Sequence, residues 1–135
     1  MMRVPCKIGD SKIHGQGVFA TRDIEKGEVI WRFSRIFDRI VMHYVRVQAP
    51  KDEQAKFMER CYVNPNYPDD WILPGDEAQF LNFPVPPEEA NIELGGVVDG
   101  QDVLIAKRDI EAGEELTVPP ESDGDYARKV AERQN

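Results

Sequence analysis

The sequence predicts a mainly β domain with short helices. Three observations carry that prediction. A stretch at residues 20–30, ATRDIEKGEVI, recurs at residues 106–116 as AKRDIEAGEEL. An Asp99-Gly100 pair separates two apolar runs, as a tight hairpin requires. Prolines and glycines cut most of the remaining chain into runs too short for long helices.

The repeated stretch reads as strand, turn, strand used twice. Two copies are too few for a solenoid. Ile24 and Ile110 are expected to point into the core. Gly27 and Gly113 are expected to supply the positive φ of each turn. Val18 and Phe19 precede the first turn, with Val29 and Ile30 after it. Val103–Ala106 and Leu116–Val118 flank the second. Between the copies, Phe33–Gln48 is rich in Ile, Val, Phe and Tyr and suits either a strand or a short helix. Lys51–Cys61 combines good helix formers without a breaker, and Pro50 stands at its start, where proline is tolerated. Ala55, Phe57, Met58 and Cys61 form a partial apolar stripe, read as packing. Asn64–Gly75 is loop-like, with a short strand at Trp71-Ile72, and Phe83–Ala90 is a proline-rich loop. Ile92–Val98 and Val103–Ala106 form the predicted hairpin, with Gly95-Gly96 able to bulge its first strand. Asp125–Gln134 reads as a short polar helix or a frayed tail.

The length of 135 residues fits one domain, and no linker divides it. The net charge of −8 argues against a nucleic-acid surface, which needs a basic stripe. It suits a basic, lysine-containing protein or peptide partner through electrostatic steering, although solubility alone also explains it. Cys6 and Cys61 are too few for a disulfide framework or a zinc cluster, and His14 and His43 show no ligand spacing. No structural metal is expected. No apolar run reaches the ~20 residues of a membrane span, and Met1–Lys12 lacks the apolar core of a signal peptide. An intracellular, cytoplasmic protein is expected.

Four segments in order resemble the SET domain of protein-lysine methyltransferases. Ile13-His14-Gly15-Gln16-Gly17-Val18-Phe19-Ala20 resembles the opening motif, which ends G-x-G-hydrophobic-F-A. Asp23-Ile24 through Gly27-Glu28 resembles the strand pair that follows. Gly75-Asp76-Glu77-Ala78-Gln79-Phe80-Leu81-Asn82 resembles the approach to the N-H-S motif. Ala106–Thr117 resembles the segment leading to the catalytic tyrosine. The resemblance covers residues 4–120, with a poorly matched insert at 38–70 and a tail at 121–135. It implies small curved sheets and a pseudoknot-like threading of the segments near 76–84 and 115–120.

It also implies an S-adenosylmethionine site lined by Gly15, Gln16, Gly17, Asn82 and Phe83. Glycines without Cβ let the main chain approach the cofactor, although a tight turn without ligand explains them equally. Asn82 matches the family asparagine, whose amide donates and accepts, as a zwitterionic amino-acid head requires. Phe83 replaces the histidine and Pro84 the serine, removing a backbone N–H. Asn91 corresponds to the asparagine of the family's P-N pair. Trp31, Phe33 and Trp71 suit either adenine stacking or core packing.

The catalytic segment departs further. Glu115-Leu116-Thr117 is followed by Val118-Pro119-Pro120, so Pro120 stands where the family keeps its tyrosine. That phenol orients the lysine amine against the sulfonium methyl, and positioning carries much of such a reaction. Tyr126 is a candidate substitute, or a surface tyrosine on the C-terminal helix. Tyr62 and Tyr67, with Tyr44, lie in the insert and are candidates for lining a lysine channel. Glu25, Glu28, Glu111, Glu114 and Glu115 read as a solvated rim. Three readings remain open at this level: an active protein-lysine methyltransferase, a degenerate member that binds cofactor or peptide, and a structural interaction domain.

Overall fold

The computed structural model describes residues 1–41 and 48–133. Among the described residues, three small antiparallel sheets, two short α-helices and three 3-10 turns make up the structure, the mainly β architecture expected. The first sheet has the order β1 (Cys6–Asp10), β2 (Gln16–Ala20), β9 (Glu115–Leu116). The second has the order β3 (Val29–Trp31), β8 (Gln101–Ala106), β7 (Ile92–Val98). The third has β4 (Arg39–Val41), β6 (Trp71–Leu73) and β5 (Tyr62–Val63). Helix α1 spans Lys51–Arg60 and α2 spans Tyr126–Arg133.

The repeated stretch does more than recur. Its two copies clasp each other about a local two-fold. Ile24 and Ile110 exchange both backbone hydrogen bonds, each 2.8 Å. Gly27 N–H donates to Ala106 and Gly113 N–H to Ala20, again 2.8 Å each. The aspartates cross over: Asp109 accepts from Lys26 N–H at 2.8 Å, and Asp23 accepts from Ala112 N–H at 2.9 Å. Arg22 pairs with Glu28 and Arg108 with Glu114 in matching positions. Each turn therefore satisfies the other's orphan N–H groups. Gly27 and Gly113 hold φ of 89° and 92°, which side chains resist. Ile24 and Ile110 are both 1% exposed and join Val18, Ile30, Trp31, Ile92, Leu104 and Leu116 in one core.

The hairpin β7–β8 turns at Asp99-Gly100, with φ of 52° and 76°. Its register shifts between Leu94 and Val97, at Gly95-Gly96, as a bulge does. Trp71-Ile72 lies in β6, and α1 begins directly after Pro50, with Asp52 and Glu53 in its first turn favouring the helix dipole. The α1 stripe differs from expectation. None of its residues is buried; Phe57 and Met58 are half-buried and Ala55 is exposed, while Cys61 just beyond is 1% exposed. Of Phe33–Gln48, residues 39–41 are strand, and the part at 42–47, including His43 and Tyr44, lies outside the described residues.

The C-terminal segment is a docked helix rather than a frayed tail. Gly124 N–H donates to Val63 at 2.9 Å. Asp123 accepts from Val63 N–H at 2.9 Å and from Lys129 Nζ at 2.7 Å, and Lys129 also donates to the Cys61 carbonyl. Both side chains of this pair are at most 5% exposed. A polar helix is thus held by a buried ion pair whose partners are further satisfied by main chain.

Two outcomes follow for stability. Ile24→Ala and Ile110→Ala should each cost about 2–5 kcal/mol in urea unfolding, and the two values should match closely because the clasp is symmetric. Lys129→Met should cost about 3–5 kcal/mol by leaving Asp123 buried without its cation. Adding Asp123→Asn to Lys129→Met should recover part of that loss in the same measurement.

Candidate functional site

The site grows from the turn joining β1 to β2. Ser11 N–H donates to Gly15 at 2.9 Å, and Ser11 Oγ accepts from Ile13 N–H at 2.9 Å, closing the turn. Gly15 takes φ +47° at its tip. The Ser11 hydroxyl then donates to Glu115 at 2.7 Å. Asn82, 3% exposed, directs its Nδ2 to His14 O at 3.0 Å, Gln16 O at 2.9 Å and Glu115 Oε2 at 3.0 Å. The amide expected to greet a ligand with both halves therefore spends its donor half on the turn. Among the described residues nothing donates to its Oδ1.

The two glycines differ in role. A Cβ on Gly17 would meet Glu115 Oε2 at 2.5 Å and Asn82 Nδ2 at 3.2 Å, so glycine here makes room for protein atoms. A Cβ on Gly15 would meet nothing within 4 Å, and that main chain stays open to an approaching molecule. Glu115 is not a solvated rim residue. Its signal lay in the repeat, because the matching position of the first copy is the apolar Val29.

The segments around 82 and 117 cross as predicted. Asn82 and Thr117 form a parallel bridge, and Val118 N–H donates to Asn82 O at 3.0 Å. Asn91, 2% exposed, donates to Glu115 O at 2.8 Å and accepts from Thr117 N–H at 2.9 Å. Phe83 is buried beneath Tyr126, ring edge to face with centroids 4.8 Å apart. The Arg133 guanidinium lies 5.7 Å from the Phe83 centroid, a cation–π distance.

Two hollows meet here. The outer cleft, about 270 Å³, is bounded by His14, Gly15 and Gln16, by Phe80–Asn82, by Lys56, Glu59 and Arg60 of α1, and by Arg133 of α2. Arg133 ion-pairs with Glu59, and His14 Nε2 stands 3.5 Å from the same carboxylate. The inner cavity, about 60 Å³, shares Glu59, Arg60, Gln79, Leu81 and Arg133 with the cleft and continues to Trp31, Tyr62, Phe83, Asp102 and Val118. Trp31 and Tyr62 pack edge to face at 5.6 Å. Burial pushes the Tyr62 phenol far above its ordinary pKa, so it stays a neutral hydroxyl, 3.3 Å from Gln101 Oε1.

The remaining sequence candidates separate. Tyr62 lines the inner cavity. Tyr67 is exposed and packs over Gly100 of the hairpin turn, where a Cβ would clash with its ring. Tyr126 touches Phe83 without lining either hollow. Pro120 opens a 3-10 turn and faces a different groove with Pro87, Ile92 and Glu93; Val118 and Ser122 turn toward the cavity instead. Trp31 lines the cavity as a core residue, and Trp71 lies in β6 away from both hollows. Sequence reasoning missed Ser11, Glu59, Asp102, Lys129 and Arg133, whose roles depend on contacts between distant segments.

The donor set fits the charged amino-acid head of a molecule such as S-adenosylmethionine. Asn82 Oδ1 is an acceptor for an ammonium, Lys56 and Arg60 are cations for a carboxylate beside the Glu59–Arg133 pair, and Phe80 and Leu81 are apolar walls.

A family model described as SET domain matches residues 15–119. Among solved structures, the chain is similar to a Polycomb Repressive Complex 2 chain from Chaetomium thermophilum bound to an inhibitor, with 22% identity, TM-score 0.63, and coverage of 93% of this chain and 16% of that one. It is similar to another such chain, in an autoinhibited conformation bound to S-adenosylmethionine, with 21% identity, TM-score 0.63, and coverage of 97% and 17%. It is also similar to a Plasmodium falciparum protein named as a histone methyltransferase, with 18% identity, TM-score 0.55, and coverage of 87% and 94%. The chain thus spans about a sixth of the length of the Polycomb Repressive Complex 2 chains it matches.

Proposed function

From the premise that the chain belongs to the SET domain family, whose model matches residues 15–119, we propose a lysine methyltransferase-like protein that binds S-adenosylmethionine and a basic peptide but transfers methyl groups poorly. The observation that carries this reading is the split outcome at the crossing. The Asn82 side of the site is built and clamped to the G-x-G turn, whereas the segment after Thr117 carries Pro120 away from the cavity.

Gly15 and Gln16 main chain, Asn82 Oδ1 and the Arg133–Phe83 wall would hold the cofactor. When bound, the cofactor supplies an electrophilic methyl group. The inner cavity would receive the acceptor side chain, and Tyr62 is the phenol that lines it among the described residues. No phenol reaches the cavity from position 120, so the orienting contact on the acceptor nitrogen is weak. Loss of orientation costs orders of magnitude in rate. Tyr126, against Phe83 but lining neither hollow, would serve only if its ring turned into the cavity. The net charge of −8 favours capture of a basic peptide by steering. The Polycomb Repressive Complex 2 chains act within an assembly, and a protein partner that completes the peptide groove belongs to the same proposal.

Calorimetric titration with S-adenosylmethionine should give saturable heat; its absence at high cofactor concentration would sink the cofactor reading. Radiolabelled transfer to a lysine-rich peptide should be weak. Pro120→Tyr alone should leave it within about twofold, because positioning and not mere presence of a phenol sets the rate; a large gain would show that residue 120 can turn into the cavity. Full transfer by Tyr126→Phe would remove Tyr126 from any catalytic part.

A further inference from the structure

The chain carries 25 acidic residues against 17 basic ones, so a cluster of cations left without partners stands out. Arg22, Arg108, Arg128 and Arg133 pair with carboxylates, and Arg60 lies over the Phe80 ring. Arg32, Arg35 and Arg39 do neither. All three are exposed, and among the described residues no carboxylate pairs with them. They crowd the turn that joins β3 to β4, and the same turn bares apolar side chains. Ile36 is 100% exposed, and Phe37 and Ile40 are exposed on either side of Asp38. Single exposed apolar residues are ordinary, but several together, rimmed by charge, mark an interaction surface.

The turn is not a slack loop. Asp38, buried at its end, accepts from Ser34 N–H at 2.9 Å and from Gly75 N–H at 3.0 Å. Phe37 N–H and Asp38 N–H both donate to Ser34 O, at 3.1 and 2.7 Å. Gly75 leaves the space that Phe37 fills, since a Cβ there would run into the Phe37 carbonyl and ring. Ile36 is therefore held in water by a fixed backbone, and little backbone entropy remains to be lost on docking. Across from the turn stands the tip of the β7–β8 hairpin. Between them lies a groove of about 220 Å³, lined by Arg32, Phe33, Arg35, Ile40, Val98 and Gln101, with Asp99 as the carboxylate of the lining. The groove shares no lining residue with the outer cleft or the inner cavity. Two guanidinium groups against one carboxylate leave it net positive, and Arg39, next to Ile40, adds to that charge.

We propose that this groove and the Ile36 turn form a docking surface for an acidic segment of a partner protein, one that carries an apolar side chain among its carboxylates. The apolar side chain seats on Phe33, Ile40 and Val98. The carboxylates take the guanidinium forks, which match them two hydrogen bonds at a time. Charge complementarity selects this occupant. The net charge of −8 repels a long polyanion, such as a nucleic acid or an anionic membrane, which meets a whole face of the molecule. A short acidic segment feels chiefly the three arginines within a Debye length of it. Arginine beside aromatic and aliphatic side chains, with no lysine in the lining, is also the composition of a protein interface rather than of a phosphate-binding one. The surface attracts the charge opposite to that of a basic peptide, so it is a second contact and not an extension of the cleft.

The test uses the full chain and a fluorescein-labelled peptide of sequence EDLFEDLFED, followed by fluorescence anisotropy at low salt. Saturable binding with a Kd of about 100 μM is expected, as suits a small surface, and raising the salt should weaken it. The neutral counterpart QNLFQNLFQN should bind at least tenfold more weakly. Arg35→Glu should weaken the acidic peptide at least tenfold, and Ile36→Ser several-fold. Both positions are exposed, so both variants should melt with the parent chain. Absence of saturable binding, equal binding of the neutral peptide, or parent affinity in Arg35→Glu each overturns the proposal. Tighter binding of a single-stranded DNA oligonucleotide or of phosphatidylserine vesicles, lost in Arg35→Glu, also overturns it and assigns these arginines to phosphate instead.

Discussion

The stretch Glu115–Val118 runs between two other parts of the chain, and its polar groups are met by two buried asparagines. Asn82 hydrogen-bonds the Glu115 carboxylate and passes its own carbonyl to Val118 N–H. Asn91 takes the Glu115 carbonyl and Thr117 N–H. A strand crossing inside a small domain would otherwise bury several unsatisfied backbone groups, each costing about 1–3 kcal/mol. Because Asn82 also ties the main chain at His14 and Gln16, the crossing and the G-x-G turn are one unit. The cleft, the cavity behind it and the path of the chain beyond Thr117 all take their positions from this crossing.

The rest of the molecule braces that unit from two sides. The clasp between the repeated turns holds β2 and β9 on one sheet while holding β3 and β8 on another, so a local two-fold joins two sheets that share no strand. The docked helix α2 braces it as well. Its Lys129 is buried against Asp123 and the Cys61 carbonyl, and its Arg133 reaches Glu59 over Phe83. Buried ion pairs contribute little net stability over apolar packing but tolerate no substitution of one partner. In a chain of net charge −8, spending cations on these two contacts places the end of α2 where cleft and cavity meet. Among the described residues, Asp102 of the same cavity has no paired cation.

Local signals in the sequence carried much of the fold. The repeat with its glycines, the Asp99-Gly100 hairpin, the Gly95-Gly96 bulge and the helix after Pro50 each depend on conformational preferences of a few adjacent residues, and each stands where those preferences put it. The order of the four motif segments was enough to identify the family and the threading near 82 and 117. The site was legible only in outline. Gly15, Gln16 and Asn82 converge, but the reason for Gly17 is the Glu115 carboxylate, which the spacing alone assigned to a solvated rim.

By itself, then, the amino-acid sequence determined the turns, the strand-rich class, the family and the absence of tyrosine at position 120. Those are properties of single residues or short windows. Tertiary structure alone decided that the two turns clasp each other, that α2 docks, that residue 120 faces away from the cavity, and that Trp31, Tyr62 and Asp102 share one. Each of these joins residues from separate segments, and pairing is chosen by which buried donors and acceptors can meet once the core has closed. No window of sequence contains that choice.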